Sequence, residues 1–234
     1  MLDADSSPDL SGRLRIRQLN SGSDSVSAHG GRLWSQMKAQ VLGFCTVATI
    51  AVASVVAAGV ADVTLAGSVL SGTHPELNAV VWLDTPNTAE STPKPNPVLH
   101  QRSLTFAPHV LAVRVGTTVD FPNEDRVFHN VFSFKDGKKF DLGLYPVGSV
   151  KRVVFSAAGV SRLFCNIHPH MAGYVVAVDT PFFSAVDEKG AFTITAVPAG
   201  TYTYHAWRPA GPSLTGSVIV GTDLRLDVVW PGAQ

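Results

Sequence analysis

The sequence predicts an all-β protein, and three observations lead to this fold class. From residue 63 onward the chain contains short runs rich in Val, Thr, Phe and Tyr, which favour extended strands. Gly, Pro, Asn and Asp separate these runs at intervals typical of tight turns. No stretch of useful length shows the apolar period of an amphipathic helix. Together these features indicate an antiparallel β-sandwich.

The individual strands are predicted from the turn signals that bound them. Val115-Gly116 and Lys189-Gly190 each mark a turn between two apolar runs. The segment 85–97 contains four prolines and is predicted to be a loop or linker. The predicted strands cover residues 110–115, 117–121, 150–155, 173–178, 192–197, 201–206 and 217–220.

The first 61 residues are predicted to be a leader. No residue between Lys38 and Asp62 is charged, and this apolar run suits either a cleaved signal peptide or a retained N-terminal anchor. Small residues ending at Ala61 favour cleavage. Residues 1–36 are rich in Ser, Gly, Asp and Arg and are predicted to be disordered. Both alternatives place residues 62–234 in the periplasm or another extracytoplasmic space.

Composition and charge exclude several functional classes. The 234 residues carry 18 Lys+Arg and 18 Asp+Glu, a formal net charge of zero, which argues against a nucleic-acid partner. No Gly-x-Ser-x-Gly elbow and no phosphate-binding Gly-rich loop occurs, so the sequence predicts no enzyme of those types. Removal of the leader would leave Cys165 as the one cysteine. A lone thiol outside the cytoplasm is prone to oxidation unless something binds it.

Side chains of metal-ligand type surround Cys165. Cys165, His168 and Met171 lie within seven residues, and His129 lies upstream, at the start of the run His129-Asn130-Val131. Thiolate and thioether suit Cu(I), imidazole suits both oxidation states of copper, and two imidazoles with one thiolate and a weak axial thioether make a blue-copper ligand set. The pattern therefore predicts a site for one copper ion, with a zinc site or an empty, vestigial site as the alternatives. His170 is predicted to be a surface residue near this site.

From about residue 102 to residue 180 the chain resembles a cupredoxin of the plastocyanin and amicyanin kind. The gap of two residues between the last two ligand-type residues resembles the short ligand loop of amicyanin. The pattern is also similar to secreted proteins described as methylamine-utilisation-like. The residues that carry the resemblance are the strand 116–121, His129-Asn130-Val131, and Cys165-x-x-His168-x-x-Met171.

This resemblance implies a role for each residue of the motif. His129, Cys165 and His168 would be the strong copper ligands. Met171 would be the axial ligand. Asn130 is similar to the residue that ties the two ligand loops together in this family. The fold implied is a Greek-key β-sandwich with the metal at one end.

The segments that flank the cupredoxin-like region resemble parts of a second, small β-sandwich of the carboxypeptidase regulatory-like kind. The predicted division assigns residues 62–98 to the first strands of this accessory sandwich, 99–180 to the copper domain, and 181–234 to the strands that complete the accessory sandwich. The alternative gives residues 79–83 to the cupredoxin and leaves 181–234 as a simple C-terminal extension. One sequence leaves both arrangements open.

The function expected from the sequence is extracytoplasmic transfer of single electrons by one copper ion that alternates between Cu(I) and Cu(II). The expected partners are a redox protein donor and an acceptor, of cytochrome or dehydrogenase type. The protein is expected to be a monomeric carrier, not an enzyme, with membrane contact only through an uncleaved N-terminal segment. Two alternatives are a copper-binding or copper-delivery protein and a surface interaction sandwich with a structural metal site.

Overall fold

The computed structural model describes residues 62–85, 95–134, 136–221 and 224–231, which are most of the chain after the predicted leader, and residues 15–16 within the leader. Within residues 1–36, β1 (Arg15–Ile16) pairs antiparallel with the last strand, at Leu226 and Asp227. The rest of the predicted leader, including its apolar run, lies outside the described residues. A helix long and apolar enough to span a bilayer does not occur among the residues described.

Eighteen strands form the described part of the protein, which contains no helix, so the all-β prediction is confirmed. After β1 the strands are β2 (Asp62–Ser71), β3 (His74–Pro75), β4 (Val80–Leu83), β5 (His100–Arg102), β6 (Thr105–Ala107), β7 (Val110–Arg114), β8 (Thr117–Pro122), β9 (His129–Ser133), β10 (Phe140–Tyr145), β11 (Val150–Phe155), β12 (Gly159–Phe164), β13 (Ala172–Val178), β14 (Phe183–Ala185), β15 (Ala191–Pro198), β16 (Gly200–Trp207), β17 (Leu214–Val220) and β18 (Leu224–Trp230).

The strands form sheets that the chain groups into two β-sandwiches. The first, here called the flanking sandwich, has one sheet in the order β1-β18-β2-β15, with β3 beside β2, and a second sheet in the order β14-β4-β16-β17. The other, here called the inner sandwich, has a sheet in the order β10-β9-β12-β13-β7, the pair β11-β8 and the hairpin β5-β6. Strands that precede residue 84 thus pair with strands that follow residue 182.

The sequence predicted purely antiparallel strand pairing, but two of the strand pairs are parallel. β7 pairs parallel with β13, and β2 pairs parallel with β18. Many residues separate the two strands of each pair, and so long a connection allows the chain to cross over and return in the same direction, which a tight hairpin cannot do. The prediction assumed hairpins because the turn signals are local.

One hydrophobic core joins the two sheets of the flanking sandwich. In β2 buried and more exposed residues alternate, so Val63, Leu65 and Val69 point to this core. They pack with residues from the other end of the chain, among them Phe192 of β15 and Trp230 of β18. The domain boundaries at residues 98 and 180 stay a prediction.

Gly67 of β2 lies where the backbone of β18 approaches too closely for a larger side chain. A Cβ at Gly67 would lie 1.6 Å from the carbonyl oxygen of Leu226 and 3.0 Å from the ring of Phe192. Because the first obstacle is backbone, Gly67→Ala must separate β2 from β18, and we expect it to lower the free energy of unfolding by about 3 kcal/mol. Gly221→Ala is the matched control, since a Cβ there has no atom within 4 Å. Equal denaturation midpoints for both variants would contradict this packing.

A second core fills the inner sandwich. Phe121 of β8, Phe155 of β11 and Leu163 of β12 are fully buried in it. Cys165 and Met171 belong to the same cluster, so the predicted ligand loop closes one end of this core. A smaller cluster links the two sandwiches and includes Val80 of the flanking sandwich with Val110, Val176 and Val178 of the inner one.

Candidate metal centre

Three strands deliver the predicted ligands to one end of the inner sandwich. His129 is the first residue of β9, and Cys165 directly follows β12. β9 and β12 are neighbours, with Phe164 opposite Phe132. His168 lies in the short loop between β12 and β13. Because β12 and β13 are antiparallel neighbours, this loop turns back across the same sheet end where β9 begins.

The side chains of His129, Cys165 and His168 converge on one point. The Nδ1 atoms of the two histidines lie 3.1 Å apart. Cys165 Sγ lies 3.9 Å from His129 Nδ1 and 3.6 Å from His168 Nδ1. These three donor atoms all lie within 4.8 Å of one another, and no other such group of His, Cys, Asp or Glu occurs in the part of the chain that the structure describes. One sulfur and two imidazole nitrogens facing a common centre fit a copper or zinc ion.

Met171 is buried beside this group. Its side chain is 1% exposed and belongs to the same apolar cluster as Cys165. The backbone N–H of Met171 donates to the carbonyl oxygen of His168 at 2.9 Å, which makes the ligand loop a tight turn. The loop thus holds a thiol, an imidazole and a thioether in a short, internally bonded segment.

Asp125 orients His129 from the side opposite the sulfur. Asp125 Oδ2 lies 2.8 Å from His129 Nε2, so the imidazole uses one nitrogen for the carboxylate and directs the other to Cys165 and His168. Such a carboxylate–histidine contact fixes the ring and its tautomer at metal sites. The sequence analysis did not single out Asp125. The available signal was its spacing of four residues before His129.

The same carboxylate stabilises the turn between β5 and β6. Ser103 and Leu104 both have positive φ angles, 53° and 59°, although neither is glycine. Such left-handed backbone is unfavourable for these residues and needs support. The N–H of Ser103 donates to Asp125 Oδ1 at 2.7 Å, and the N–H of Leu104 donates to Oδ2 at 2.9 Å. Asp125 therefore couples this turn to the position of His129.

The charge state of Asp125 follows from these contacts. Burial by itself would raise the pKa of the Asp125 carboxyl. The N–H of Leu104, the imidazole of His129 and the N–H of Ser103 outweigh this effect and hold the pKa below its ordinary value. Asp125 is therefore an anion at neutral pH and accepts all three hydrogen bonds.

Asn123 holds the segment that carries Asp125. Its side chain is buried, and its Nδ2 donates to the carbonyl oxygens of Val127 at 2.8 Å and Tyr145 at 3.0 Å. Its Oδ1 accepts from the N–H of Asp125 at 3.0 Å. Three hydrogen bonds from one side chain thus set the loop that leads from β8 to His129. Tyr145 lies 22 residues from Asn123 in the sequence, which explains why this role of Asn123 was not predicted.

A buried tyrosine, Tyr145, belongs to the same core cluster as Cys165. The Tyr145 hydroxyl donates to the carbonyl oxygen of Phe121 at 3.2 Å and contacts Gln101 Nε2. Burial raises the pKa of Tyr145 above its usual range and outweighs the hydrogen bond from Gln101, which lowers it. The phenol therefore stays neutral beneath the candidate site.

The structure differs from the resemblance at Asn130. The resemblance implied that this side chain ties the two ligand loops together. Instead, Asn130 Nδ2 donates to Asp141 Oδ1 of β10 at 2.7 Å, and its Oδ1 has no partner among the described residues. The Asn130 side chain reaches Asp141 of β10 because β9 and β10 are paired neighbours in the sheet. It thus braces β10 and not residues 165–171.

One side of the candidate site reaches the surface. His129 is fully buried, whereas His168 is partly exposed. Ile167, 46% exposed, and Phe128, 54% exposed, are apolar residues next in sequence to the two histidines. Pro169 is exposed as well. His170 is exposed and is not part of the convergent group.

Comparisons with known proteins connect part of the chain to copper proteins. The first is the Cu-containing nitrite reductase of Thermus scotoductus SA-01: 26% identity over 38% of this chain, with a TM-score of 0.35. This chain spans only 24% of that enzyme. A purple cupredoxin from Nitrosopumilus maritimus is 27% identical over 36% of this chain and all of its own length, with a TM-score of 0.33.

A reduced amicyanin variant is 25% identical over 36% of this chain and 83% of its own length, with a TM-score of 0.34. No family model and no curated protein matches the chain. Two of these three solved structures are described as a cupredoxin and an amicyanin, and the third as a nitrite reductase. Because all three TM-scores lie below 0.5, the function proposed below depends on the residues of this chain.

Proposed function

We propose that this protein binds one copper ion and carries single electrons between redox partner proteins. The observation that carries the proposal is the convergence of His129 Nδ1, His168 Nδ1 and Cys165 Sγ within 4.8 Å. Met171, buried in the same cluster, would supply the fourth, weaker donor. With four protein donors, such a centre favours electron transfer over substrate binding at the metal, so we propose a carrier and not an enzyme.

The copper ion, when bound, supplies a one-electron change between Cu(I) and Cu(II). The residues of this chain would keep the ligand positions constant during that change. His129 is held by Asp125, the Cys165–Met171 loop by its internal hydrogen bond, and both by the buried core of the inner sandwich. A ligand set that moves little between oxidation states lowers the barrier to electron exchange.

The electron would pass through the partly exposed ligand. Of the two histidines only His168 has an accessible edge, so a partner protein would contact the copper centre there. Ile167 and Pro169, the sequence neighbours of His168, and Phe128, the neighbour of His129, are exposed apolar residues that suit a small, transient docking patch. We propose donors and acceptors of cytochrome or dehydrogenase type.

Location and organisation belong to the same proposal. The uncharged run between Lys38 and Asp62 supports an extracytoplasmic or periplasmic place for residues 62–234, reached by a signal peptide or an anchor. A copper ligand role for Cys165 would protect this thiol there from oxidation. We further propose that the protein is a monomer, in which residues 99–180 form the copper domain and residues 62–98 with 181–234 form an accessory sandwich for docking.

The test is a titration of the metal-free full chain with Cu(II), followed by visible absorption and electron paramagnetic resonance. We expect one equivalent of copper, an intense blue or purple band and a narrow copper hyperfine splitting. His168→Ala should remove the band, while His170→Ala, the matched control at the exposed histidine of the same loop, should keep it. A protein that binds copper without an intense band would contradict the carrier proposal.

The alternatives give different results in the same samples. A delivery protein would transfer copper to a chelator rapidly and show slow electron exchange with a small redox mediator. A structural metal site would be coupled to folding, so that metal removal would unfold the chain. The carrier proposal expects the metal-free protein to remain folded, because the cores of both sandwiches are built from apolar residues and not from the metal.

A further inference from the structure

A second concave site lies between the two sandwiches. It is a cleft of about 400 Å³, a size suited to a small ligand, and none of the four candidate copper ligands lines it. Trp82 of β4 and Trp207 of β16 contribute indole rings from the flanking sandwich. Asp179 and Thr180, which follow β13, contribute from the inner sandwich. The cleft therefore exists only because the two sandwiches pack side by side.

Both indole rings are held in place by aromatic neighbours outside the cleft lining. Trp82 stacks with His205 at a centroid distance of 5.1 Å and an interplanar angle of 15°. Trp207 makes an edge contact with Tyr174 at 5.3 Å. Each tryptophan is partly exposed, so its ring offers a surface to a ligand without a large rearrangement. The aromatic part of the cleft is thus preformed.

The charged groups that line the cleft are all negative. Asp84 and Asp179 are exposed carboxylates, and no Lys, Arg or His belongs to the described lining. Asp84 Oδ2 contacts His205 Nε2 at 2.7 Å, which fixes the carboxylate beside the stacked Trp82 ring. The Thr85 and Thr180 hydroxyls bond to each other at 3.2 Å. Asp84 is thus paired with His205, whereas Asp179 has no ion-pair partner among the described residues and offers its carboxylate to the cleft.

We propose that this cleft binds a small organic cation that carries an alkylated ammonium group. Indole rings attract cations through the negative face of the π system, and carboxylates add a charge of opposite sign. A hydrated metal ion would gain little from the two tryptophans, and an anion would meet two carboxylates. The combination of aromatic rings and acidic groups selects a cation with an apolar surface.

The experiment compares choline with 3,3-dimethylbutan-1-ol, the uncharged carbon analogue of nearly the same shape, in calorimetric titrations of the full chain. We expect saturable binding of choline and a dissociation constant about tenfold larger for the neutral analogue. Tryptophan fluorescence should change with the same dissociation constant. Equal affinity for both compounds, or no binding of choline, would overturn the proposal. Binding of glucose in place of choline would overturn it too and indicate a carbohydrate site.

Variants separate the cleft from the rest of the surface. Asp179→Asn and Trp207→Leu should each weaken choline binding about tenfold. Asp62→Asn, an equal change of charge at an exposed aspartate of β2 outside the cleft lining, should leave it unchanged. If Trp207→Leu fails to fold, Asp179→Asn still decides, since this exposed position tolerates the amide. An Asp179→Asn protein with unaltered choline affinity would overturn the proposed role of the carboxylate.

Discussion

Replacement of Cys165 by serine is expected to abolish the intense visible band that we propose for the copper-loaded protein, together with the proposed electron transfer. The band requires charge transfer from a thiolate sulfur, and a serine hydroxyl supplies neither the soft donor nor a group ionised at neutral pH. Cys165 is the one cysteine among the described residues, and its Sγ faces both imidazoles. No other described thiol can take its place.

The measurement is visible absorption after addition of one equivalent of Cu(II). Cys45→Ser is the matched control, because it removes the chain's other cysteine, which lies in the predicted leader, and should leave the band intact. Loss of apolar contacts at Cys165, which is 4% exposed, should cost the metal-free protein only about 1–2 kcal/mol of unfolding free energy. A Cys165→Ser protein that is folded and still intensely coloured would show that the thiolate is not a ligand.

Replacement of Asp125 by alanine is expected to destabilise both the fold and the metal site. Three donors, from Ser103, Leu104 and His129, would lose their acceptor at once. Loss of hydrogen bonds to a mostly buried charge should lower the free energy of unfolding by about 3 kcal/mol. Because His129 would also lose its orienting partner, copper affinity should fall about 10- to 100-fold.

Chemical denaturation of the metal-free protein and competition with a copper chelator measure these two effects separately. Glu124→Ala is the matched control. Glu124 is the neighbouring carboxylate and bonds to His100 and Arg102 at the surface, where ion pairs contribute little. Equal effects of the two substitutions on both measurements would show that Asp125 acts as an ordinary surface charge.

The same carboxylate makes the stability of the protein depend on pH. The folded protein holds the pKa of Asp125 below its ordinary value, so the folded state binds this proton less readily than the unfolded state. The stabilisation is therefore present above the ordinary pKa and disappears as the pH falls through the lower, folded value. In Asp125→Asn this acid-dependent loss should be smaller. Unfolding free energies of both proteins across the acidic range measure the difference.

The strands were predicted best where apolar alternation and turn residues are both local. β11 was predicted with its observed bounds, Val150–Phe155, and β8 to within one residue. The short strands β5, β6 and β14 were not predicted, since three residues are too few to show a period of two. The parallel pairing of β2 with β18 was not predicted either, because strands at opposite ends of the chain leave no local signal.

The candidate site shows the same limit. The spacing of Cys165, His168 and Met171 is visible in the sequence because one loop carries all three. Asp125 was not recognised as the partner of His129, since its other hydrogen-bond partners, Ser103 and Leu104, lie 22 and 21 residues away in the chain. The partner of Asn130 also differed from the one that the resemblance implied, because strand pairing with β10 placed Asp141 nearer.

Strand periodicity and turn residues were enough to predict the all-β class, and side-chain type and spacing were enough to predict which residues could hold copper. Tertiary structure decided which of these atoms meet: β9 and β12 become neighbours, and His129 Nδ1 comes within 3.9 Å of Cys165 Sγ, 36 residues away. It also created the cleft of Trp82, Trp207 and Asp179. The distance between two residues that are far apart in the sequence depends on strand pairing and core packing across the whole chain. No local pattern of residues predicts that distance.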